Sequence, residues 1–401
     1  MKKLIIINTT INSGSTGRIC EEIGAAARIE GFDVYAVYGR SNNNSKLKTI
    51  RIGTDLDIYM HGFQSRLFDN HGFASKNATL KFISELEKIK PDIIHLHNIH
   101  GYYLNVEILF DYFHTNEIPI IWTLHDCWSM TGHCSYFDFV NCNKWQTQCN
   151  KCPNKKGYPK SFMIDNSKRN FEEKKKLFTG LKNVTIVTPS LWLAELAKCS
   201  YLSHYPVEII NNGVNLKIFK PNETTSINNK YKLNDKIVIL GVASVWDKRK
   251  GLSDFIQLYD KLSNSFKIIL VGLSFKQIEK LPNGILAIPR TEDINELAAL
   301  YSRANVFVNP TYVDNFPTTN IEALACGTPI VSYITGGSTE SITNNTGITV
   351  PKGNITALID SIYKVCKSSI DYKTNCRLRA ELLYDKDSRF NDYIKLYHSI
   401  I

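Results

Sequence analysis

Long apolar runs are what this sequence most clearly lacks. Nothing in its 401 residues approaches the roughly 18 consecutive apolar residues that a membrane-spanning helix needs. The apolar run near the N-terminus extends only from Leu4 to Ile7, which is far too short for the core of a secretory signal. We therefore interpret Leu4 to Asn8 as a first strand and expect the protein to stay in the cytoplasm.

A strong compositional bias is also missing. With 43% hydrophobic and 21% charged residues, the chain is typical of a globular protein and is long enough for two domains. The formal charge of +10 would suit an anionic partner, but Lys and Arg are scattered, and the densest run, residues 172–176, resembles a solvated helix face. The charge favours a peripheral position at the inner face of the plasma membrane, and we predict no nucleic-acid partner.

Predicted strands and helices alternate from end to end, which indicates parallel sheets covered on both faces. This alternation predicts an α/β protein with two doubly wound, Rossmann-like domains, residues 1–205 and 206–386. A last helix, residues 387–401, carries an apolar stripe at helical spacing that must pack somewhere. Strands are predicted at 4–8, 34–38, 92–96, 118–124 and 184–188 in the first half, and at 207–210, 237–241, 266–271, 285–288, 305–309 and 329–333 in the second.

Residues 309–333 (NPTYVDNFPTTNIEALACGTPIVSY) carry the most informative pattern. They predict a strand end, a loop, a short helix capped by Thr319 and a second strand. In doubly wound sheets ligands bind beyond the carboxyl ends of the strands, where Asp314 and Glu322 would both lie. A helix N-terminus there offers N–H groups to a diphosphate. The alternative is a capping box between Thr319 and Glu322, which would have no chemical role.

Two segments of the first half would lie at a similar edge. The segment NSGSTGR follows the first strand, and its Gly14 and Gly17 would let backbone amides approach an anion, with a merely tight turn as the alternative. It is no dinucleotide fingerprint, because Gly39-Arg40 stands where an acidic residue is needed. His125 directly follows strand 118–124, and a structural histidine is the alternative there.

Basic residues follow the first strand of the second half. Lys248, Arg249 and Lys250 precede Gly251. Cations at this position would neutralise the charge that develops on a leaving diphosphate. Basic residues before a helix are usually solvated, and at the positive end of a helix they are mildly unfavourable, which favours a functional role.

Together these segments resemble the family 4 retaining glycosyltransferases of the GT-B fold. The resemblance spans nearly the whole chain and is most specific at the donor-site signature, which is matched by Asp314, Phe316, Pro317, Glu322, Ala323, Ala325, Gly327, Pro329 and Val331. It implies two domains facing across a cleft, a final helix that crosses back onto the N-terminal domain, and no cofactor for catalysis. The implied reaction moves a sugar from a UDP- or GDP-sugar donor to an acceptor hydroxyl with retention of configuration.

The resemblance also implies roles for individual residues. Asp314 would meet hydroxyls of the donor sugar, Glu322 the ribose, His125 the donor sugar and Lys250 the diphosphate. The other residues implied in donor binding are Gly14, Gly17, Asn212, Phe316, Pro317, Thr318 and Thr319. Arg290 is added to the donor-binding residues from its position, because it follows strand 285–288 and would border the nucleotide base.

The chain departs from the family at two positions. Asp314 stands where the family usually has Glu, and a shorter side chain there bears on which sugar is held. Val245 stands where the family usually has an Arg, five residues before the Lys of the Lys-Gly pair. Arg249 is the candidate for the missing catalytic cation.

Ten cysteines without an export signal favour free thiols or metal ligands over disulfides. Five of them fall in a loop-like stretch, residues 127–152, where Cys149 and Cys152 form a C-x-x-C pair. With Cys134 and Cys142 they could supply four thiolates to a structural zinc ion. Redox-labile thiols and plain packing cysteines stay open as alternatives. We expect this stretch to shape a loop on the acceptor side.

The predicted function is therefore transfer of a hexosyl group to a glycan or lipid-linked acceptor in O-antigen, capsule or exopolysaccharide assembly. Two other classes remain as alternatives: a zinc-organised nucleic-acid or protein-binding module, and a nucleotide-sugar epimerase on a related fold. Asp55 and Asp57 match the D-x-D motif of metal-dependent sugar transferases but lie in an early polar segment. We predict no catalytic metal.

Overall fold

The computed structural model describes all residues, 1–401, and the chain divides into two compact units. The first unit comprises Met1–Ile210 and Phe390–Ile401, and the second comprises Asn211–Arg389. Each unit is built around one parallel sheet of its own. The predicted α/β architecture of two parallel-sheet domains is confirmed.

The first sheet is entirely parallel and has seven strands: β1 (Lys3–Ile7), β3 (Asp33–Tyr38), β5 (Lys48–Arg51), β6 (Ile93–Leu96), β7 (Ile120–Thr123), β8 (Val184–Thr188) and β9 (Val207–Ile209). Their order across the sheet is β5-β3-β1-β6-β7-β8-β9. A separate parallel pair is formed by β2 (Thr10–Ile11) and β4 (Ser41–Asn42). The helices are α1 (Gly14–Ile29), α2 (Asp55–Phe68), α3 (Lys76–Ile89), α4 (Val106–Thr115), α5 (Ser167–Phe178) and α6 (Leu191–Lys198), with 3-10 turns at Trp128–Met130, Asp138–Val140 and Lys144–Gln146.

The second sheet is also parallel and has six strands: β10 (Ile237–Val242), β11 (Phe266–Val271), β12 (Leu286–Ile288), β13 (Val306–Asn309), β14 (Ile330–Tyr333) and β15 (Gly347–Val350). Their order is β12-β11-β10-β13-β14-β15. The remaining helices of the chain are α7 (Thr225–Tyr231), α8 (Leu252–Lys261), α9 (Phe275–Ile278), α10 (Ile294–Arg303), α11 (Thr318–Ala325), α12 (Ile355–Lys367), α13 (Tyr372–Leu383) and α14 (Lys386–Ile400), with a 3-10 turn at Lys248–Lys250. No helix of the structure combines the length and the apolar character needed to cross a bilayer.

Strand β1 shows why the first sheet is covered on both faces. Its residues Leu4 to Ile7 are fully buried. Because side chains alternate along a strand, Ile5 and Ile7 enter the apolar cluster on one face, and Leu4 and Ile6 enter the cluster on the other. A continuous apolar run is therefore what a central parallel strand requires.

Helix α14 accounts for the apolar stripe at the end of the sequence. It begins at Lys386, and its residues from Phe390 onward belong to the first unit. Phe390, Tyr393, Ile394 and Tyr397 are buried in the same apolar cluster as Leu4 and Ile6.

Three strands of the two main sheets differ from the sequence prediction, and the short strands β2 and β4 are not predicted by it either. Strand 207–210 is wrongly assigned to the second half, because β9 pairs with β8 at the edge of the first sheet. Strand β5 was not predicted, since its four residues (KTIR) are largely exposed and show no apolar alternation. Strand β15 is not predicted because it opens with Gly347, a residue that is unfavourable in strands. Glycine is required there, because a Cβ would lie 2.0 Å from the carbonyl oxygen of Ile330.

Candidate active site

The strand order of the second sheet indicates where a ligand would bind. From β10 the chain adds β11 and β12 on one side, and then adds β13, β14 and β15 on the other. The order therefore reverses between β10 and β13. In open parallel sheets ligands bind at this switch point, beyond the carboxyl ends of the strands. The loops that follow β10 and β13 carry Lys250 and Asp314.

Lys250 and Asp314 form an ion pair at the switch point. The distance from Lys250 Nζ to Asp314 Oδ2 is 2.5 Å, and the two side chains are 21% and 13% exposed. The turn after Lys250 depends on Gly251, which has φ +68 and lies where a Cβ would approach the carbonyl oxygen of Pro310 to 2.3 Å. Glycine thus lets the two loops come together, and the ion pair joins their side chains.

Arg249 lies beside the same loops. Its Nε is 3.3 Å from Asp247 Oδ2, and its Nη1 donates to the carbonyl oxygen of Val313 at 3.5 Å. Its own carbonyl oxygen accepts from the backbone N–H of Tyr312 at 2.7 Å. The structure thus brings the second predicted cation next to the loop of Asp314.

Glu322 is held by a tyrosine and takes no part in a helix cap. Helix α11 begins at Thr318 with Pro317 as its N-cap, so Thr319 is wrongly predicted as the N-cap and its capping box with Glu322 does not form. Glu322 Oε2 accepts a hydrogen bond from the Tyr301 hydroxyl at 2.9 Å. Burial, and then the charge of Glu322, raise the pKa of Tyr301 well above its ordinary value, so the hydroxyl remains a donor.

Asn320 joins α11 to its neighbours. Its Nδ2 donates to the carbonyl oxygen of Ser338 at 2.9 Å, and its Oδ1 accepts from Asn309 Nδ2 at 2.8 Å. At Gly336 a Cβ would lie 2.0 Å from the carbonyl oxygen of Asp314, so only glycine lets this turn reach that loop. The first turn of α11, the Asp314 loop and the turn at residues 335–340 therefore form one frame.

The other residues predicted in the second unit differ in their burial and in their distance from the Asp314 loop. Asn212 Nδ2 donates to the carbonyl oxygen of Phe316 at 3.0 Å, which ties the predicted Asn to the signature loop. The Phe316 side chain is buried, while Thr318 and Thr319 are half-buried in the first turn of α11. Arg290 is exposed and follows β12, the edge strand two positions from β10.

In the first sheet the strand order reverses between β1 and β6. The loops after these strands are linked, because the N–H of Asn98 donates to Asn8 Oδ1 at 3.1 Å. Helix α1 begins at Gly14, which has φ +68 and open space around its Cβ position. At Gly17 a Cβ would lie 2.7 Å from Thr10 Oγ1, so this glycine is needed for close packing of the turn.

His125 is paired with a second histidine, His97, which is not among the predicted site residues. Its Nε2 is 2.9 Å from His97 Nδ1, and the two rings are stacked with planes 16° apart. Burial lowers the pKa of His125 to about 4 and that of His97 well below its ordinary value, so both rings are neutral at pH 7. One nitrogen of the pair must donate and the other accept, which couples the two tautomers. The signal was present, because His97 directly follows β6, and His125 follows the neighbouring strand β7 after one intervening residue.

Asp126, which follows His125, has its carboxylate occupied by protein groups. Its Oδ2 is 2.9 Å from His100 Nε2, and its Oδ1 accepts from the N–H of Trp128 at 2.9 Å. Burial alone would raise the pKa of Asp126, but the interaction with His100 outweighs it and holds the pKa below the ordinary value. The carboxylate can therefore orient the loop that follows β7.

The carboxylates of the D-x-D match serve helix α2. Thr54 is the N-cap, and its N–H donates to Asp57 Oδ2 at 2.8 Å. Asp55 pairs with Arg51. The D-x-D spacing is therefore explained by the first turn of α2, where Asp57 completes the capping box and Asp55 forms a surface ion pair.

Cys134, Cys142, Cys149 and Cys152 line one cavity of about 20 Å³. A hydrogen bond from the Cys134 thiol, with help from His133, lowers the pKa of Cys152 to about 7. Burial raises the pKa of Cys149 to about 11. No group of three or more His, Cys, Asp and Glu side chains in the structure is arranged to hold a metal ion, and the zinc site stays a prediction.

Comparisons with known proteins agree with this arrangement. Residues 208–381 match the family described as Glycosyl transferases group 1. The chain is similar to the putative colanic acid biosynthesis glycosyl transferase WcaC of Escherichia coli (strain K12), with 23% identity over 348 residues, 84% of this chain and 82% of that protein. It is also similar to the N,N'-diacetylbacillosaminyl-diphospho-undecaprenol alpha-1,3-N-acetylgalactosaminyltransferase of Campylobacter jejuni, with 28% identity over 204 residues, 47% of this chain and 53% of that protein.

Solved structures share the whole fold. Sucrose-phosphate synthase from Thermosynechococcus elongatus matches with a TM-score of 0.74 and 18% identity, over 100% of this chain and 99% of that one. Anabaena HepE in complex with UDP-glucose matches with a TM-score of 0.70 and 12% identity, over 100% of both chains. The fold is therefore GT-B, and the matched family segment contains Lys250, Asp314 and Glu322. The chain carries a glycosyl transferases group 1 domain and is a glycosyltransferase.

Proposed function

We propose that this glycosyltransferase moves a sugar from a UDP- or GDP-sugar to a hydroxyl of a lipid-linked glycan, with retention of configuration, during assembly of a surface polysaccharide. The observation that carries the proposal is the Lys250–Asp314 ion pair at the switch point of the second sheet. The names of similar proteins support it: one belongs to colanic acid biosynthesis, one acts on a diphospho-undecaprenol-linked sugar, and one binds UDP-glucose.

In this proposal the second unit binds the donor. An ammonium group has three N–H donors, so Lys250 can keep Asp314 and still donate to a diphosphate oxygen. Asp314 accepts hydrogen bonds from sugar hydroxyls, and Glu322, oriented by Tyr301, accepts them from the ribose. The N-terminal end of α11 adds the positive end of a helix dipole for the diphosphate.

The chemistry needs charge stabilisation more than a protein nucleophile. The bond between the anomeric carbon and the β-phosphate oxygen breaks, and the acceptor oxygen bonds to that carbon on the same face. The proton of the acceptor hydroxyl passes to the departing diphosphate oxygen. Lys250 and Arg249 neutralise the negative charge that grows on the departing diphosphate. His125, neutral at pH 7, meets a donor-sugar hydroxyl without adding charge.

The proposal assigns the acceptor to the first unit and places the protein at the cytoplasmic face of the membrane. A lipid-linked acceptor would be reached there, while its lipid stays in the bilayer. The residues of the first unit that would contact the transferred sugar are those at the ends of β6 and β7, among them His125.

A screen for ligand-induced thermal stabilisation tests the donor site first. UDP-, GDP- and ADP-sugars are added to the full chain, and the nucleotide-sugar that raises the melting temperature is carried forward. Asp314→Ala and Glu322→Ala are expected to abolish the rise, because binding to the folded state is what stabilises it. Asp360→Ala, at an exposed position of α12 in the same unit, is the matched control and should keep it.

The acceptor is tested with the stabilising donor in radiolabelled form. Transfer of label to a lipid-linked glycan, with the anomeric configuration retained by NMR, is the expected result. Transfer only to a soluble metabolite would refute the lipid-linked acceptor. Turnover of the nucleotide-sugar without any acceptor would indicate an epimerase, and donor stabilisation that survives both Ala substitutions would refute the site.

A further inference from the structure

Helix α2 exposes an apolar stripe where a surface helix is normally polar. Four large apolar side chains occur at i, i+3, i+4 and i+7 and are between 43% and 68% exposed: Leu56, Tyr59, Met60 and Phe63. The opposite side of the helix is buried through His61, Gly62 and Ser65. An amphipathic helix usually turns its apolar side to the core. A contiguous apolar stripe that faces outward marks a surface for interaction.

A second exposed apolar segment continues this stripe. Phe162, Met163 and Ile164 are between 42% and 69% exposed. The N–H of Phe162 donates to the carbonyl oxygen of Arg66 at 2.7 Å, and the N–H of Ile164 donates to that of Leu67 at 3.2 Å. The segment is therefore attached to the last turn of α2. We define the apolar surface as Leu56, Tyr59, Met60, Phe63, Phe162, Met163 and Ile164.

Basic residues border the apolar surface. Arg66 is exposed and lies one turn beyond Phe63 on α2. Residues 155–169 contain Lys155, Lys156, Lys160, Lys168 and Arg169 but a single acidic residue, Asp165. The carboxylate of Asp165 accepts hydrogen bonds from the backbone of Cys152 and Ser167. Apart from Asp55 and Asp57 in the first turn of α2, the rim is therefore cationic around an apolar, partly aromatic centre.

We propose that this surface docks the protein on an anionic lipid bilayer. Apolar and aromatic side chains flanked by Lys and Arg are the composition of interfacial helices, which lie in the membrane plane. Anionic headgroups attract such a rim. A second copy of this chain suits the surface poorly, because a two-fold contact would bring two cationic rims together. The inference rests on the proposed function, which requires a lipid-linked acceptor.

The buried side of α2 connects the apolar surface to the proposed acceptor region. The His61 ring contacts Tyr102 at 5.9 Å, and Tyr102 contacts Tyr158 at 6.1 Å between ring centroids. The Tyr158 hydroxyl is 3.3 Å from His100 Nδ1, and His100 pairs with Asp126. Docking through α2 would therefore bring the bilayer against the first unit, which also contains the proposed acceptor region, and close to the loop that carries Asp126.

Vesicle flotation of the full chain tests the surface. Phosphatidylcholine vesicles with phosphatidylglycerol should retain the protein, and vesicles of phosphatidylcholine alone should retain much less. Phe63→Ser and Met163→Ser should each weaken partitioning by about tenfold, since each removes one large apolar side chain that docking would bury in the bilayer. Phe275→Ser, at a phenylalanine of the second unit that is 75% exposed, is the matched control and should bind normally.

A charge variant tests the rim separately. Lys156→Glu should weaken binding to anionic vesicles several-fold, and added salt should reduce the difference. Lys364→Glu, an exposed lysine of α12, should have no effect. The proposal is overturned if Phe63→Ser and Met163→Ser leave partitioning unchanged, or if the protein binds neither vesicle. A concentration-dependent dimer that Phe63→Ser dissolves would overturn it too, because the surface would then be covered by a second copy.

Donor binding distinguishes a failure of this inference from a failure of the proposed function. The surface variants should keep the melting-temperature rise given by the stabilising nucleotide-sugar, since their side chains are exposed and lie in the first unit. Vesicle binding without any donor stabilisation would refute the function and leave the surface standing. Donor stabilisation without vesicle binding would refute the surface alone.

Discussion

At the scale of single residues, a substitution of Lys250 can test the role of its positive charge apart from the space that its side chain fills. Lys250→Met removes the cation but keeps a side chain of similar length. We expect kcat to fall by about 10²- to 10³-fold, the usual cost of losing one preorganised group that stabilises developing charge. Lys248→Met, in the same 3-10 turn but exposed, should keep the wild-type rate. Initial rates with the stabilising donor decide the matter, and equal rates for the two variants would remove Lys250 from the mechanism.

His97 is predicted to act as a positioning residue for His125. His97→Leu removes the hydrogen bond of 2.9 Å that fixes the tautomer and orientation of the His125 ring. We expect kcat to fall by about 10- to 100-fold, as is typical when a partner that orients a histidine is lost, with little change in donor KM. His97→Asn, which can still donate to His125, should recover part of the rate.

The melting temperature separates this role from simple destabilisation. His97 is buried, so both substitutions will lower stability to some extent. A positioning role predicts that kcat differs between His97→Asn and His97→Leu even where their melting temperatures agree. If kcat follows the melting temperature across both variants, His97 has only a structural role.

At the scale of elements, helix α5 carries a buried lysine against the 3-10 turn at residues 128–130. Lys174 Nζ donates to the carbonyl oxygens of Trp128 and Thr131 at 3.0 and 3.1 Å. Burial lowers the pKa of Lys174 to about 7 and outweighs the favourable interaction with the carboxylate of Asp69. Between pH 7 and about 10 the unfolded chain therefore binds more protons than the folded one, and this lysine makes stability rise with pH by up to about 1.4 kcal/mol per unit.

The Lys174→Met variant tests this dependence. Its free energy of unfolding should lose that slope, so the wild type should gain stability relative to the variant as pH rises from 7 to 10. Lys175→Met, the exposed neighbour, should keep the wild-type slope. Urea unfolding at several pH values measures both. A constant difference between wild type and Lys174→Met would mean that the lysine stays charged when buried.

Most elements could be predicted because the two sheets are parallel. Strands buried on both faces give continuous apolar runs such as that of β1, and each is followed by a turn and an amphipathic helix. Edge strands gave no such signal: β5 is mostly exposed, and β9 lies after a helix that could precede either sheet. Which sheet accepts β9 depends on its pairing with β8, a long-range contact that local pattern does not encode.

The chain segments that carry the candidate site could be predicted from the sequence, but the contacts within it could not. Asp314, Glu322 and Lys250 could be placed at strand ends from the alternation and the signature. The Lys250–Asp314 ion pair joins residues 64 positions apart, and the Tyr301–Glu322 hydrogen bond joins residues 21 apart across α10 and α11. Residue type favours Thr319 as the N-cap, yet Pro317 takes that place, because a fixed φ suits the entry to α11.

At the scale of the whole molecule, helix α14 links the two units through the chain. Its first residues belong to the second unit and those from Phe390 onward to the first. The Tyr397 hydroxyl lies 2.7 Å from His95 Nδ1, and the Tyr393 hydroxyl accepts from Thr123 Oγ1 at 3.3 Å. The end of α14 is thus bonded to β6 and β7, the strands that position His97 and His125.

Tyr397→Phe is predicted to weaken the first unit selectively. It leaves His95 Nδ1 buried without its partner, which costs about 1–3 kcal/mol. Because the contacts of Tyr397 lie within the first unit, hydrogen exchange should quicken in β6 and β7 and stay unchanged in β10 and β13. Tyr59→Phe, at an exposed tyrosine of the same unit, should alter neither. Equal acceleration in both sheets would show that the two units unfold together, and that α14 transmits the loss beyond the unit in which it is made.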